Sequence, residues 1–135
     1  MVVAAPSNGW RGTPSAGRPT VKAAASRFGR ILFDGRGFVL YVFTRDPPGR
    51  SACSGACAQA WPPYIVVSKP AVGTGVNAKL LGTTRPAGGK LQVTYAGRPL
   101  YYYVGDRKPG QILCQNVREF GGLWLVVRPS GQPVK

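Results

Sequence analysis

Apolar and polar residues alternate with period two over two stretches of the chain, and that alternation marks half-buried strands. "RILFDGRGFVLYVFT", residues 30–44, reads as strand, tight turn, strand. The turn is Asp34-Gly35-Arg36-Gly37, where Asp-Gly supplies the positive φ that hairpins need. In its second strand Tyr41 and Phe43 share one face, and Leu40, Val42 and Thr44 share the other. "LQVTYAGRPLYYYV", residues 91–104, repeats the plan with a turn near Ala96-Gly97. There Tyr101 and Tyr103 share one face, and Leu100, Tyr102 and Val104 the other.

Each hairpin runs into a polar loop and then a Trp-led strand: "WPPYIVV" from Trp61 and "WLVV" from Trp124. The connector "SKPAVGTGVNAKLLGTTRPAGGK" carries one expected helical turn near Asn77 to Leu81. A three-stranded unit cannot bury both faces alone, whereas two can shelter each other. The expected fold is all-β: a small sandwich or barrel built from two pseudo-repeated three-stranded units. Residues 26–135 form this single domain, with repeat one at about 26–68, a connector at about 69–89 and repeat two at about 90–132. Residues 1–25, rich in Ala, Gly, Pro, Ser and Arg, read as a flexible basic arm tied down near Val21.

The repeat includes "LYVFTRDPPG" from Leu40 and "LYYYVGDRKPG" from Leu100. Asp46 and Asp106 each follow a repeated tyrosine, Tyr41 or Tyr101, by five positions. Positions five apart on a regular strand face opposite ways, so Tyr and Asp of one repeat are not expected to touch. A carboxylate at the start of a turn accepts main-chain N–H groups ahead of it, which is the favoured role for both. Arg45, Arg50, Arg107 and Lys108 are expected to keep both ionised and to depress their pKa values. The catalytic alternative is a converging carboxylate pair of the kind that cleaves sugars, which needs one member raised in pKa. No catalytic residue is assigned.

Composition narrows the chemistry. There is no histidine, which removes the commonest general base and metal ligand. The 135 residues include 18 Lys and Arg against 4 Asp and Glu, a net charge of +14 that attracts anionic polymers, lipid head groups or acidic proteins. No stretch is long and apolar enough to span a bilayer as a helix. The start, "MVVAAPSNGW", lacks the basic flank and apolar run of an export signal.

The cysteines leave three readings. Cys53 and Cys57, four apart, are one helical turn from each other and form the favoured disulfide, leaving Cys114 as a free or modified thiol. Second is a bridge from Cys114 to one of that pair. Third is a three-thiolate site of Cys53, Cys57 and Cys114 for copper(I) or zinc; otherwise no cofactor is expected. Aligning the halves on their aspartates places Cys114 close to the repeat position of Cys53. The aromatic set, Tyr41, Phe43, Trp61, Tyr64, Tyr95, Tyr101, Tyr102, Tyr103 and Trp124, reads first as core and second as a stacking platform for bases or sugars.

"LYVFTRDPPGRSACSGACAQAWPP", "VTYAGRPLYYYVGDRKPG" and "GGLWLVVRPSGQPV" together resemble the bacterial secreted-repeat lipoproteins defined by a Tyr-x-x-x-x-Asp motif. The resemblance covers about residues 21 to 135. It implies export to the cell envelope or beyond, in relatives often anchored by lipid on an N-terminal Cys, which this chain lacks near its start. Arg98 stands where relatives often carry His, and Cys114 where they read as a Gly-rich polar turn. The expected function is a non-enzymatic envelope module whose basic surface binds an anionic partner: a membrane face, a wall polymer or an acidic subunit of an assembly. The alternatives are a redox or soft-metal accessory using the three cysteines, and nucleic-acid binding through Arg and exposed aromatics, which an exported address disfavours.

Overall fold

A computed structural model of the chain describes residues 19–85 and 89–135. Residues 1–18, most of the expected arm, lie outside it. The rest of that stretch is a correction: Thr20–Ser26 is a strand, β1. Its inward residues, Val21 and Ala23, are too small and too few to give a clear alternating pattern in sequence.

The fold is all-β, with strands β2 (Gly29–Asp34), β3 (Tyr41–Phe43), β4 (Ile65–Val66), β5 (Ala71–Val72), β6 (Leu81–Thr84), β7 (Leu91–Tyr95), β8 (Arg98–Pro99), β9 (Val117–Glu119) and β10 (Gly122–Val126). One short helix, α1 (Ala56–Ala60), leads into Trp61. Near Asn77 the chain makes the single turn expected there, with Leu80 N–H on the Asn77 carbonyl (3.0 Å) and Leu81 N–H on that of Ala78 (3.3 Å). The strands make three small sheets, ordered β9-β10-β3, β2-β1-β5 and β4-β7-β6 with β8 on β7, and not a closed barrel.

The two halves exchange strands. β3 of the first repeat pairs antiparallel with β10 of the second, and β4 of the first pairs antiparallel with β7 of the second. The crossing repeats itself bond for bond. Leu32 N–H donates to the Val127 carbonyl (3.0 Å) as Val93 N–H donates to Tyr64 (2.9 Å). Leu40 N–H reaches Leu32 (3.2 Å) as Leu100 N–H reaches Val93 (2.9 Å). These pairs make Trp61 equivalent to Trp124 and Tyr64 to Val127. At the centre Tyr41 and Tyr101 donate to each other's carbonyls, both at 2.9 Å. Two equivalent residues that exchange both bonds place a local two-fold axis between them.

The ribbon of residues 40–43 and 100–103 is buried on both faces. Tyr41, Phe43, Trp61, Tyr101 and Trp124 pack on one side, and Leu40, Val42, Tyr95, Leu100 and Leu125 on the other. This is the facial division that alternation implies, with a core on each side instead of one. Burial of these large side chains drives the association of the halves.

Candidate functional site

The motif residues meet across the two-fold axis. Tyr41 donates its hydroxyl to Asp106 Oδ2 at 2.7 Å, and Tyr101 donates to Asp46 Oδ2 at 2.7 Å. Each tyrosine therefore bonds the aspartate of the other repeat, a crossing not expected from either motif taken singly. The remaining oxygens hold loops: Asp46 Oδ1 accepts from Ala52 N–H (2.6 Å) and Asp106 Oδ1 from Leu113 N–H (3.0 Å). These donors lie six and seven residues ahead, beyond the Pro-Gly turn. They also make Cys53 and Cys114 equivalent, since each follows the N–H that its aspartate holds. Ser51 Oγ lies 2.6 Å from the Tyr101 hydroxyl, and with the tyrosine proton directed at Asp46 the serine is the donor.

Burial raises all four motif groups. It pushes both tyrosine hydroxyls far above their usual range, and the carboxylates beside them add to the effect. It also raises Asp46 and Asp106, while a tyrosine hydroxyl and a main-chain N–H draw each back. The expected depression by neighbouring cations is overturned. Arg45, Arg50, Arg107 and Lys108 are exposed, so water screens them, and desolvation of the carboxyls dominates. Both oxygens of each aspartate accept a bond from the fold, which ties each carboxylate to a tyrosine of the other repeat and to a main-chain N–H of its own loop.

The two tryptophans stack on the axis, centroids 4.1 Å apart and planes 6° from parallel. Phe43 extends the column on Trp124 (4.2 Å), and Tyr103 lies against Trp61 at 4.6 Å with its ring tilted by 37°. Tyr41 and Tyr101 meet Trp61 and Trp124 edge-on at 5.2 and 5.1 Å. Gly105 permits this end of the column: a Cβ there would sit 2.4 Å from the Tyr103 ring. With Tyr41, Phe43, Trp61, Tyr64, Tyr95, Tyr101 and Trp124 buried, the aromatic set is mostly core, the first of its two readings, and only Tyr102 and Tyr103 stand half-buried at its edge.

Glu119 was not anticipated. Its Oε1 accepts the Trp61 indole N–H at 2.6 Å, and its carbonyl accepts that of Trp124 at 3.1 Å. Asp34 accepts from Tyr102 (2.8 Å) and pairs with Arg36 (2.9 Å). Thus each of the 4 acidic residues in the chain accepts a hydrogen bond from an aromatic side chain. A surplus of aromatic donors over acids is visible in the sequence, but nothing in it assigns the pairs.

Cys53 and Cys57 form a disulfide, the favoured pairing. Cys114 is a separate buried thiol, so neither the bridge to Cys114 nor a three-thiolate metal site is assembled. Two of the three sulfurs are bonded to each other, and among the described residues no three His, Cys, Asp or Glu converge. Burial pushes the Cys114 thiol up, and a bond with the Tyr103 hydroxyl draws it back. Alkylation of native protein by iodoacetamide is therefore expected to be at least about tenfold slower than alkylation in denaturant, measured by intact mass. Equal rates in the two states would contradict the burial.

A family model described as a secreted repeat of unknown function matches residues 22–64 and 82–128, one segment in each half. No curated protein and no solved structure matches the chain.

Proposed function

The chain belongs to that family of secreted repeats, and from this premise we propose that it is an exported, non-enzymatic module of the cell envelope whose basic surface binds an anionic partner. One observation carries the reading: all four carboxylates accept bonds from aromatic groups of the fold, while the described cations other than Lys22 and Arg98 are exposed. Arg30, Arg45, Arg50, Lys79, Arg107, Lys108, Arg118 and Arg128 are all exposed. Most of the described cations are thus presented to solvent with few acids interspersed, and with a net charge of +14 on the chain this makes a field that gathers polyanions. The disulfide suits an oxidising compartment.

Binding of this kind weakens as salt screens it. Retention on a soluble polyanion such as polyphosphate is expected to fall at least about tenfold between low and physiological ionic strength. Retention that stays flat across that range removes the reading.

A further inference from the structure

The two-fold relation supplies an internal control for the surface. The equivalence of Tyr64 with Val127 makes Ile65, Val66 and Val67 the counterparts of Arg128, Pro129 and Ser130. Likewise Val93 matches Leu32, so Leu91 matches Arg30. One half therefore places Arg, Pro, Ser and Arg where the other places Ile, Val, Val and Leu. Val66 is buried in the core, but at the exposed positions the fold does not require aliphatic residues, because the equivalent Arg30, Arg128 and Ser130 are exposed in the other half. Yet Ile65 is 38% and Val67 95% exposed, a display of aliphatic surface that folding alone leaves unexplained.

Ile65, Val66, Val67 and Leu91 line an open groove of about 360 Å³, and the other side chains lining it are Arg85 and Lys90. Both cations are exposed. Arg85 commits one N–H to the Gly89 carbonyl, and a guanidinium has four more. No carboxylate lines the groove; the four in the chain are held elsewhere. We propose that this face, formed by β4, Leu91 at the start of β7, and Arg85 and Lys90 beside them, is a docking surface for an anionic lipid membrane. Val67 and Ile65 enter the boundary between head groups and acyl chains, and Arg85 and Lys90 take the phosphates. Aliphatic side chains beside cations, with no carboxylate among them, match a lipid surface in both hydrocarbon and charge. An acidic peptide would use the cations and leave Val67 unused.

The proposal rests on the anionic-partner reading and names the partner and the site. The test is sedimentation of the full chain with vesicles of phosphatidylcholine alone and of phosphatidylcholine with phosphatidylglycerol in a two-to-one ratio, with soluble polyphosphate in parallel. The variant is Ile65→Arg/Val67→Ser, which gives this half the residues that the other half carries. The unmodified chain is expected to bind the anionic vesicles and not the neutral ones. The double variant is expected to bind anionic vesicles about tenfold more weakly, although it has gained a positive charge, and polyphosphate at least as tightly. Val67→Ser alone, at a site almost fully in water, gives a smaller loss in the same direction without a folding risk.

Anionic-vesicle binding by the double variant that equals or exceeds that of the unmodified chain overturns the docking surface and leaves charge alone in place. Binding to polyphosphate but not to anionic vesicles overturns it as well. If neither anion is bound, the anionic-partner reading fails, and the docking surface with it.

Discussion

Replacing Trp61 or Trp124 with Ala is expected to destabilise the fold by about 3–5 kcal/mol, a large part of the total stability of a small domain. Both rings are fully buried, and each is the other's stacking partner on the axis that joins the halves. Loss of Trp124 also strips Phe43 of its stack, and loss of Trp61 strips Tyr103 of its ring contact. The cavity opens where strands from both repeats meet, so neither half can close it by relaxing alone. Chemical denaturation followed by circular dichroism measures the loss. Trp61→Phe keeps a ring in the column and gives up only the indole bond to the exposed Glu119, so its loss is expected to be distinctly smaller. A loss under about 1 kcal/mol for both alanine variants would show that the column does not hold the halves together.

The second large effect belongs to the crossed pairs. Tyr41→Phe leaves a buried carboxylate oxygen of Asp106 without its donor, at an expected cost of about 1–3 kcal/mol, and Tyr101→Phe does the same to half-buried Asp46. A double-mutant cycle combining Tyr41→Phe with Asp106→Asn is expected to show a coupling of about 1 kcal/mol or more. Tyr41→Phe with Asp46→Asn, the pair within one motif, is expected to show much less, because no bond joins them. Larger coupling within a motif than across the axis would refute the crossed arrangement.

The same pairs set a pH dependence. Burial raises Asp46 and Asp106 in the folded state, so between the ordinary carboxylate range and the raised values the folded chain binds more protons than the unfolded. Their contribution to stability is then largest at low pH and is lost as pH rises through the folded pKa values. The Asp46→Asn/Asp106→Asn variant lacks this dependence while sharing every other charge. The stability of the unmodified chain relative to that variant is therefore expected to decline as pH rises from about 4. A relative gain with rising pH would mean that the tyrosine and main-chain donors outweigh desolvation.

Much of the architecture was legible. Period-two alternation gave the faces of residues 40–43 and 100–103 correctly, because a strand shows its side chains to opposite sides wherever it goes. The doubled motif gave two units sharing cores, and the four-residue spacing gave the Cys53–Cys57 disulfide. β1 does not stand out in sequence, because Ala-rich strands carry weak alternation. The carboxylate pKa shifts were read with the wrong sign, since flanking arginines in sequence are visible and burial is not.

The sequence by itself determined that this chain is a strongly basic, all-β, twice-repeated protein without histidine, because composition and short-range periodicity are local properties. Only the tertiary structure decided which tyrosine meets which aspartate, that Trp61 lies on Trp124, and that Val67 stands in water while its counterpart is a serine. Those contacts join residues about sixty positions apart across an exchange of strands. Two repeats that fold side by side and two that cross have the same alternation and the same motifs, and they differ only in which backbone groups find each other.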